Sequence, residues 1–111
     1  MERRIAVSQL ELLVLLALMR LNQHAYGVAI AAAIADASGR EVALGSIYVA
    51  LQALEQKALV SSELGEPTAA RGGRAKRYFR ITAQGIREVS NIRQTLSKMW
   101  RDLPQLVEGR R

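Results

Sequence analysis

The clearest chemistry in the chain is cationic. Arg71, Arg74, Lys76, Arg77 and Arg80 stand between Pro67 and Arg80 with no acid among them. Five of the six net positive charges therefore fall in fourteen residues of a 111-residue chain. Arg71, Arg74, Lys76 and Arg77 flank the pair Gly72-Gly73, so the backbone between them can follow a track of phosphates. Each cation seated on a phosphate releases condensed counterions, and binding of this kind weakens steeply with salt. The competing reading is a solvated loop that keeps the chain soluble. Catalytic chemistry is not indicated: the acids are scattered without a general acid and base pair. His24 is the only histidine and cysteine is absent, so no metal spacing appears and His24 reads as a turn residue. No glycine-rich nucleotide loop is present. No enzyme, metal or cofactor is expected.

A second group of polar residues lies upstream. Ile47, Leu51, Leu54 and Ala58 recur at steps of four and three, which predicts a helix opening at Leu44-Gly45-Ser46 and turning Ser46, Val49, Gln52, Ala53, Gln56 and Lys57 outward. A face of small and polar groups suits the DNA major groove, which a bulky apolar face does not enter. Ser46 has two readings: its hydroxyl and the free N–H groups of the helix start hold a phosphate, or it only caps the helix. Tyr26, Tyr48 and Tyr78 each flank an element suited to DNA contact, and a tyrosine hydroxyl donates well to phosphate. Packing competes with that role. For Tyr48 the phosphate contact is favoured, for Tyr78 the core.

The elements that must position these groups follow from pattern. Ser8 with Glu11 has the spacing of a capping box and predicts a first helix over Gln9–Leu21 that is apolar on nearly every face. A second, alanine-rich helix is expected over Tyr26–Ala37 and is stopped by Ser38-Gly39. The third passes through Leu59 into a hairpin of Val60–Leu64 and Lys76–Ile81, with Tyr78 and Arg80 on one side and Arg77 and Phe79 on the other. Thr82 caps a last helix over Ala83–Asp102, ended by Pro104. Three helices followed by a hairpin are the order of a winged helix-turn-helix, with the third helix in the major groove and the wing at the backbone or minor groove. The fold class expected is mainly α with a small β-hairpin: a winged helix-turn-helix DNA-binding region at 1–82, and a C-terminal dimerisation helix and tail at 83–111.

Val89, Ile92, Leu96, Met99, Leu103 and Leu106 alternate at steps of three and four, a heptad seam with no second helix in the chain long enough to cover it. With the surplus apolar surface of the first helix, this predicts a homodimer. Its interface would draw on Leu12, Leu15, Met19, Val89, Ile92, Leu96, Met99, Trp100 and Leu103. As the single tryptophan, Trp100 reads as an interface anchor.

Composition bounds the rest. Half of the residues are hydrophobic and 23% are charged, which belongs to a folded globular chain of one domain. The apolar run Leu12 to Met19 falls far short of the roughly 20 residues that span a bilayer, and its continuation, Arg20-Leu21-Asn22-Gln23, ends a helix and does not resemble a leader cleavage site. With no cysteine, a cytoplasmic location is expected. The partners expected are double-stranded DNA, a second copy of the chain and a small-molecule effector, with no membrane. An alternative remains in another class: a winged-helix protein-interaction module using Val49, Ala50 and Ala53. The acid-free basic run argues against it. RNA is disfavoured because aromatics for stacking single strands are missing.

Leu12 to Leu21, Ala25-Tyr26-Gly27, Leu44-Gly45-Ser46-Ile47-Tyr48, Leu51-Gln52-Ala53-Leu54-Glu55, Gly72 through Thr82 and Gly85 together resemble the PadR family of bacterial regulators, over about residues 8 to 103. The most specific parts are Gly45-Ser46-Ile47-Tyr48 and the stretch from Gly73-Arg74 to Ile81-Thr82. The resemblance implies a homodimeric repressor of the short form with one C-terminal dimerisation helix. Ser46 and Tyr48 would lie in the recognition region and the wing arginines on the DNA backbone. It also implies a sensor role for Trp100, since drug-sensing members of the short branch sandwich planar ligands with a tryptophan of this helix. Here Trp100 comes about one turn later than in those members. The chain departs from the family at Val49, where proline is usual, and at Ala53, where arginine or lysine is common.

Overall fold

The computed structural model describes residues 6–66 and 75–106. Helix α1 spans Gln9–Leu21, α2 Gly27–Ser38 and α3 Leu44–Gln56. Strands β1, Val60–Leu64, and β2, Arg77–Ile81, follow, then α4 over Ala83–Trp100. The strands pair antiparallel in the register Val60 opposite Ile81 and Ser62 opposite Phe79. This is the mainly helical, winged helix-turn-helix architecture expected from the pattern.

Helix α1 starts where its capping box demands: Glu11 N–H donates to Ser8 Oγ at 3.1 Å and Ser8 N–H to Glu11 Oε1 at 3.0 Å. Most of its apolar circumference is used because α1 runs through the middle of the core, with Val14, Leu15, Ala17 and Leu18 buried and Leu16 and Met19 left exposed. Ile30 and Ile34 of α2, Ile47, Ala50, Leu51 and Leu54 of α3, and Phe79 of β2 close around it. Truncating Leu15 would cost about 2–5 kcal/mol by the usual cavity scale. A backbone bond from Phe79 N–H to the Ala25 carbonyl, 2.7 Å, ties the hairpin to the start of α2.

Helix α3 stops earlier than its apolar spacing implies. Ala58 is exposed with φ at 65°, not buried on the helix face. The N–H groups of Leu59 and Ala58 bond the carbonyls of Leu54 and Glu55, each at 3.0 Å. These are the two bonds of a Schellman ending, which turns the chain back so that Leu59 and Val60 enter the core. Glycine normally holds the left-handed position; alanine there carries a Cβ clash of about 1 kcal/mol. We expect Ala58→Gly to raise stability by about 0.5 kcal/mol after the larger backbone entropy of an unfolded glycine is set against the relief. A urea melt that shows no gain would contradict the strain.

Lys57 also departs from expectation. It does not face outward with Gln56 but reaches α1, where its Nζ donates to Glu11 Oε1 at 2.8 Å and to the Ala6 carbonyl at 2.6 Å. Burial alone would raise the Glu11 pKa. The hydrogen bonds from Lys57 and the Ser8 N–H, with the charge of Lys57, outweigh it and hold the carboxyl below its ordinary value. A depressed carboxyl stabilises the fold above its unfolded pKa and loses that contribution as pH falls through the folded value. Glu11→Gln should therefore cost about 1 kcal/mol at pH 7. The gap to the parent should close below the glutamate range, as urea melts at pH 7 and pH 3 would read.

The first half of α4 is anchored and the second is not. Thr82 Oγ1 accepts from Gly85 N–H at 3.0 Å and donates to the Ala58 carbonyl at 2.8 Å, so one side chain caps α4 and fastens it to the end of α3. Gly85 and Val89 are buried, Ile92 and Leu96 half-buried, and Met99 and Trp100 exposed. The helix ends at Trp100, two residues before the expected Asp102. Asp102 lies at a φ of 60°, and a residue preceding proline, here Leu103, is disfavoured in α conformation.

Two residues leave the expected interface. Leu15 has no exposed surface and Val89 is buried; both are spent on the chain's own core. The reason is geometric: α1 is central, and the first turns of α4 lie against it. Leu12 packs partly on the core, whereas Met19, Met99, Trp100 and Leu103 are exposed.

Candidate nucleic-acid interface

With Ile47, Ala50, Leu51 and Leu54 facing the core, the opposite side of α3 carries Ser46, Val49, Gln52 and Gln56, all exposed. Ala53 is half-buried beside them. Ala50, one of three apolar residues that favoured a protein-docking α3, is thereby removed from the surface.

The structure decides how Ser46 is used locally. The residue at the N-cap of α3 is Ala43, and no side chain caps the helix. Ser46 is instead at the third helical position; its N–H bonds the Ala43 carbonyl at 3.0 Å and its hydroxyl is open to solvent. The Leu44 and Gly45 N–H groups precede the first intrahelical bonds, so the start of α3 offers unpaired donors and the positive end of its dipole at the outer surface.

Tyr48 is 42% exposed, but its ring leans away from that face. It sits in the notch left by the missing side chain of Gly27 at the start of α2, 6.4 Å from the Phe79 ring. Gly27, which in the sequence figured only in the Ala25-Tyr26-Gly27 stretch of the family resemblance, is thus a positioning residue: a Cβ there would strike the Tyr48 hydroxyl. The alanine-rich context of α2 gave no signal for it.

Tyr78 is half-buried, on the strand face opposite Phe79, which takes the core position expected for Tyr78. Its ring covers Gly65 and meets Tyr26 edge-on at 5.8 Å. Tyr26 is the extended residue before α2 and not its first turn. Lys76 Nζ lies 3.8 Å from the centre of the Tyr26 ring, a cation–π contact, and Gly65 N–H bonds the Lys76 carbonyl at 2.7 Å. These contacts clamp the base of the wing to α2. Arg77, on the other face, donates to Ser62 Oγ at 3.1 Å, which donates to Glu55 Oε2 of α3 at 2.9 Å. The base of the wing is therefore joined to both α2 and α3. Arg71 and Arg74 lie outside the described residues.

Around and beyond the C-terminus of α4, Trp100, Asp102, Leu103, Pro104 and Leu106 line an open groove. Among the described residues no group of three or more potential metal ligands occurs, and no helix is long and apolar enough to cross a membrane.

Comparison with known proteins agrees with this arrangement. No curated protein matches the chain. Among solved structures, a PadR family transcriptional regulator from Eggerthella lenta is similar at 26% identity, covering 88% of this chain and 83% of that one with a TM-score of 0.68. A PadR-like transcriptional regulator from Bacillus cereus shares the fold at 21% identity, 91% and 93% coverage and a TM-score of 0.71. A transcriptional regulator from Clostridium thermocellum shares it at 21% identity, 88% and 92% coverage and a TM-score of 0.70. Residues 15–91, from the middle of α1 through the wing into α4, match the sequence profile of the transcriptional regulator PadR-like family. The chain belongs to that family.

Proposed function

We propose that the protein is a homodimeric repressor that places α3 in the major groove of double-stranded DNA and the wing on the flanking backbone. The observation that carries this reading is the joint placement of an uncapped α3, its small and polar outer face and a clamped hairpin base, together with the acid-free basic sequence from Pro67 to Arg80. Phosphates would be met by the amides and Ser46 hydroxyl at the start of α3 and by Arg71, Arg74 and Arg77. Lys76 contributes charge while fixing Tyr26, and the part-exposed Tyr48, leaning onto the start of α2, would meet the backbone there. Val49 and Gln52 face the bases. This work on genomic DNA belongs in the cytoplasm.

A second copy is the natural cover for the apolar surface that α4 carries beyond Val89. Ile92, Leu96, Met99, Trp100 and Leu103 lie along it, and α1 offers Met19 and the edge of Leu12. In the assembly, residues 83–111 would act as the dimerisation helix and tail, and 1–82 as the DNA-binding region. Selection of genomic fragments on the purified protein tests both halves of the proposal. A palindromic site with half-sites about one helical turn apart, or a multiple of it, is expected from a two-fold dimer. Recovery of no enriched duplex would favour a protein-interaction module built on Val49 and Ala53.

The groove at Trp100 is also the proposed effector site, for a small hydrophobic or aromatic molecule that relieves repression. Its indole is 60% exposed, so it can anchor the partner subunit and stack on a planar ligand. Titration with planar aromatic cations should quench Trp100 fluorescence and release operator DNA. Absence of quenching at saturation would leave Trp100 as an interface anchor alone.

A further inference from the structure

The middle of the DNA-facing side of α3 is held by a valine. Val49 is 68% exposed, although the adjoining Ala50 is buried and Tyr48 leans onto α2. Ser46 and Gln52 stand three residues to either side of it, one helical turn away on the same stripe. Four residues to either side are Gly45 and Ala53, both small, so no long side chain stands between Val49 and an incoming surface. A β-branched residue is also a poorer helix former than alanine, and its methyl groups gain nothing from water. Neither helix stability nor folding of the core accounts for it.

One group in the major groove answers to this chemistry. Thymine alone among the four bases presents a 5-methyl group there, and apolar side chains distinguish it by contact. Resting on the proposed function, we infer that Val49 is a specificity-determining residue that packs against a thymine 5-methyl in each half-site. Gln52 is then free to pair with a neighbouring base edge and Ser46 to hold the phosphate. The low number of polar readers on α3 becomes a choice of operator: discrimination comes partly from methyl burial.

The test uses the full-length chain and the duplex recovered by genomic selection, with each thymine replaced in turn by deoxyuridine, which lacks only the methyl. At one thymine per half-site the parent should lose roughly fourfold in affinity, the burial value of one methyl. In Val49→Ala the same replacement should change affinity less than twofold, while replacements elsewhere behave as in the parent. Because alanine is the better helix former, a lowered affinity of the variant cannot come from a frayed α3, and circular dichroism should confirm full helicity. If no thymine-to-deoxyuridine change matters, or if the sensitive thymine is equally sensitive in Val49→Ala, the inference is wrong although the protein still binds DNA. Failure to recover any duplex overturns the DNA-binding reading itself, and the inference with it.

Discussion

Replacing Arg71, Arg74 and Arg77 together with alanine is expected to lower affinity for a duplex carrying a single half-site by on the order of 10²–10³-fold at 0.1 M salt. Each phosphate contact contributes a slope of about −0.9 to the dependence of log affinity on log salt. Three lost contacts per DNA-binding unit therefore flatten the slope by about 2.7. At 0.1 M the same contacts account for nearly three decades of affinity. Both readouts come from one fluorescence-anisotropy titration repeated at several salt concentrations. The fold should tolerate the change, because Arg77 is exposed and its bond to Ser62 lies at the surface; such substitutions usually shift stability by about 0.5 kcal/mol or less. An unchanged slope in the triple variant would remove the wing from the interface and return weight to a docking role for α3. A uniform loss across unrelated duplexes is expected as well, since phosphate contacts carry no sequence.

Gly85→Ala should destabilise the protein by about 2–3 kcal/mol, against the sign that helix propensity gives. In an exposed helix interior the change would be worth up to about 1 kcal/mol in stability. Here Gly85 lies where α4 crosses the end of α3. A Cβ would run into the Leu59 carbonyl and within 2.7 Å of Ile81 Cγ1. That carbonyl accepts the Thr82 N–H at 3.0 Å, so it cannot retreat without breaking the joint that fastens α4. Overpacking against backbone of this kind typically costs about 1–3 kcal/mol, and the loss of the adjoining bond adds to it. The melting temperature should fall by roughly 10 °C or more. A gain would mean that α4 is free to slide off the hairpin, and the anchored half of the helix described above would be wrong. Because α4 carries the proposed dimer surface, the same variant should also weaken self-association when followed by sedimentation.

Much of the architecture was legible from short-range pattern alone. The capping box of Ser8 and Glu11, the Thr82 cap, the Gly39 stop and the alternation of Arg77, Tyr78, Phe79 and Arg80 are each set by residues within one turn or one strand. Backbone periodicity writes such signals directly into spacing. The concentration of positive charge at Arg71 to Arg77 is equally a property of the sequence, as are the small and polar residue types on the outer face of α3. Spacing gives no information about which of several apolar faces will meet which neighbour. Tertiary contacts decided that α1 is central, which consumes Leu15 and Val89 in the core and leaves Met19, Met99 and Trp100 outside. They paired Lys57 with Glu11 across 46 residues, a partnership no local pattern encodes. They also put Phe79 and not Tyr78 into the core, ended α3 on a left-handed Ala58 so that Leu59 could be buried, and seated Tyr48 against Gly27. In each case burial of apolar surface or pairing of partly buried charges outweighs preferences of a few tenths of a kcal/mol per residue, and such long-range gains are settled only when the whole chain is packed.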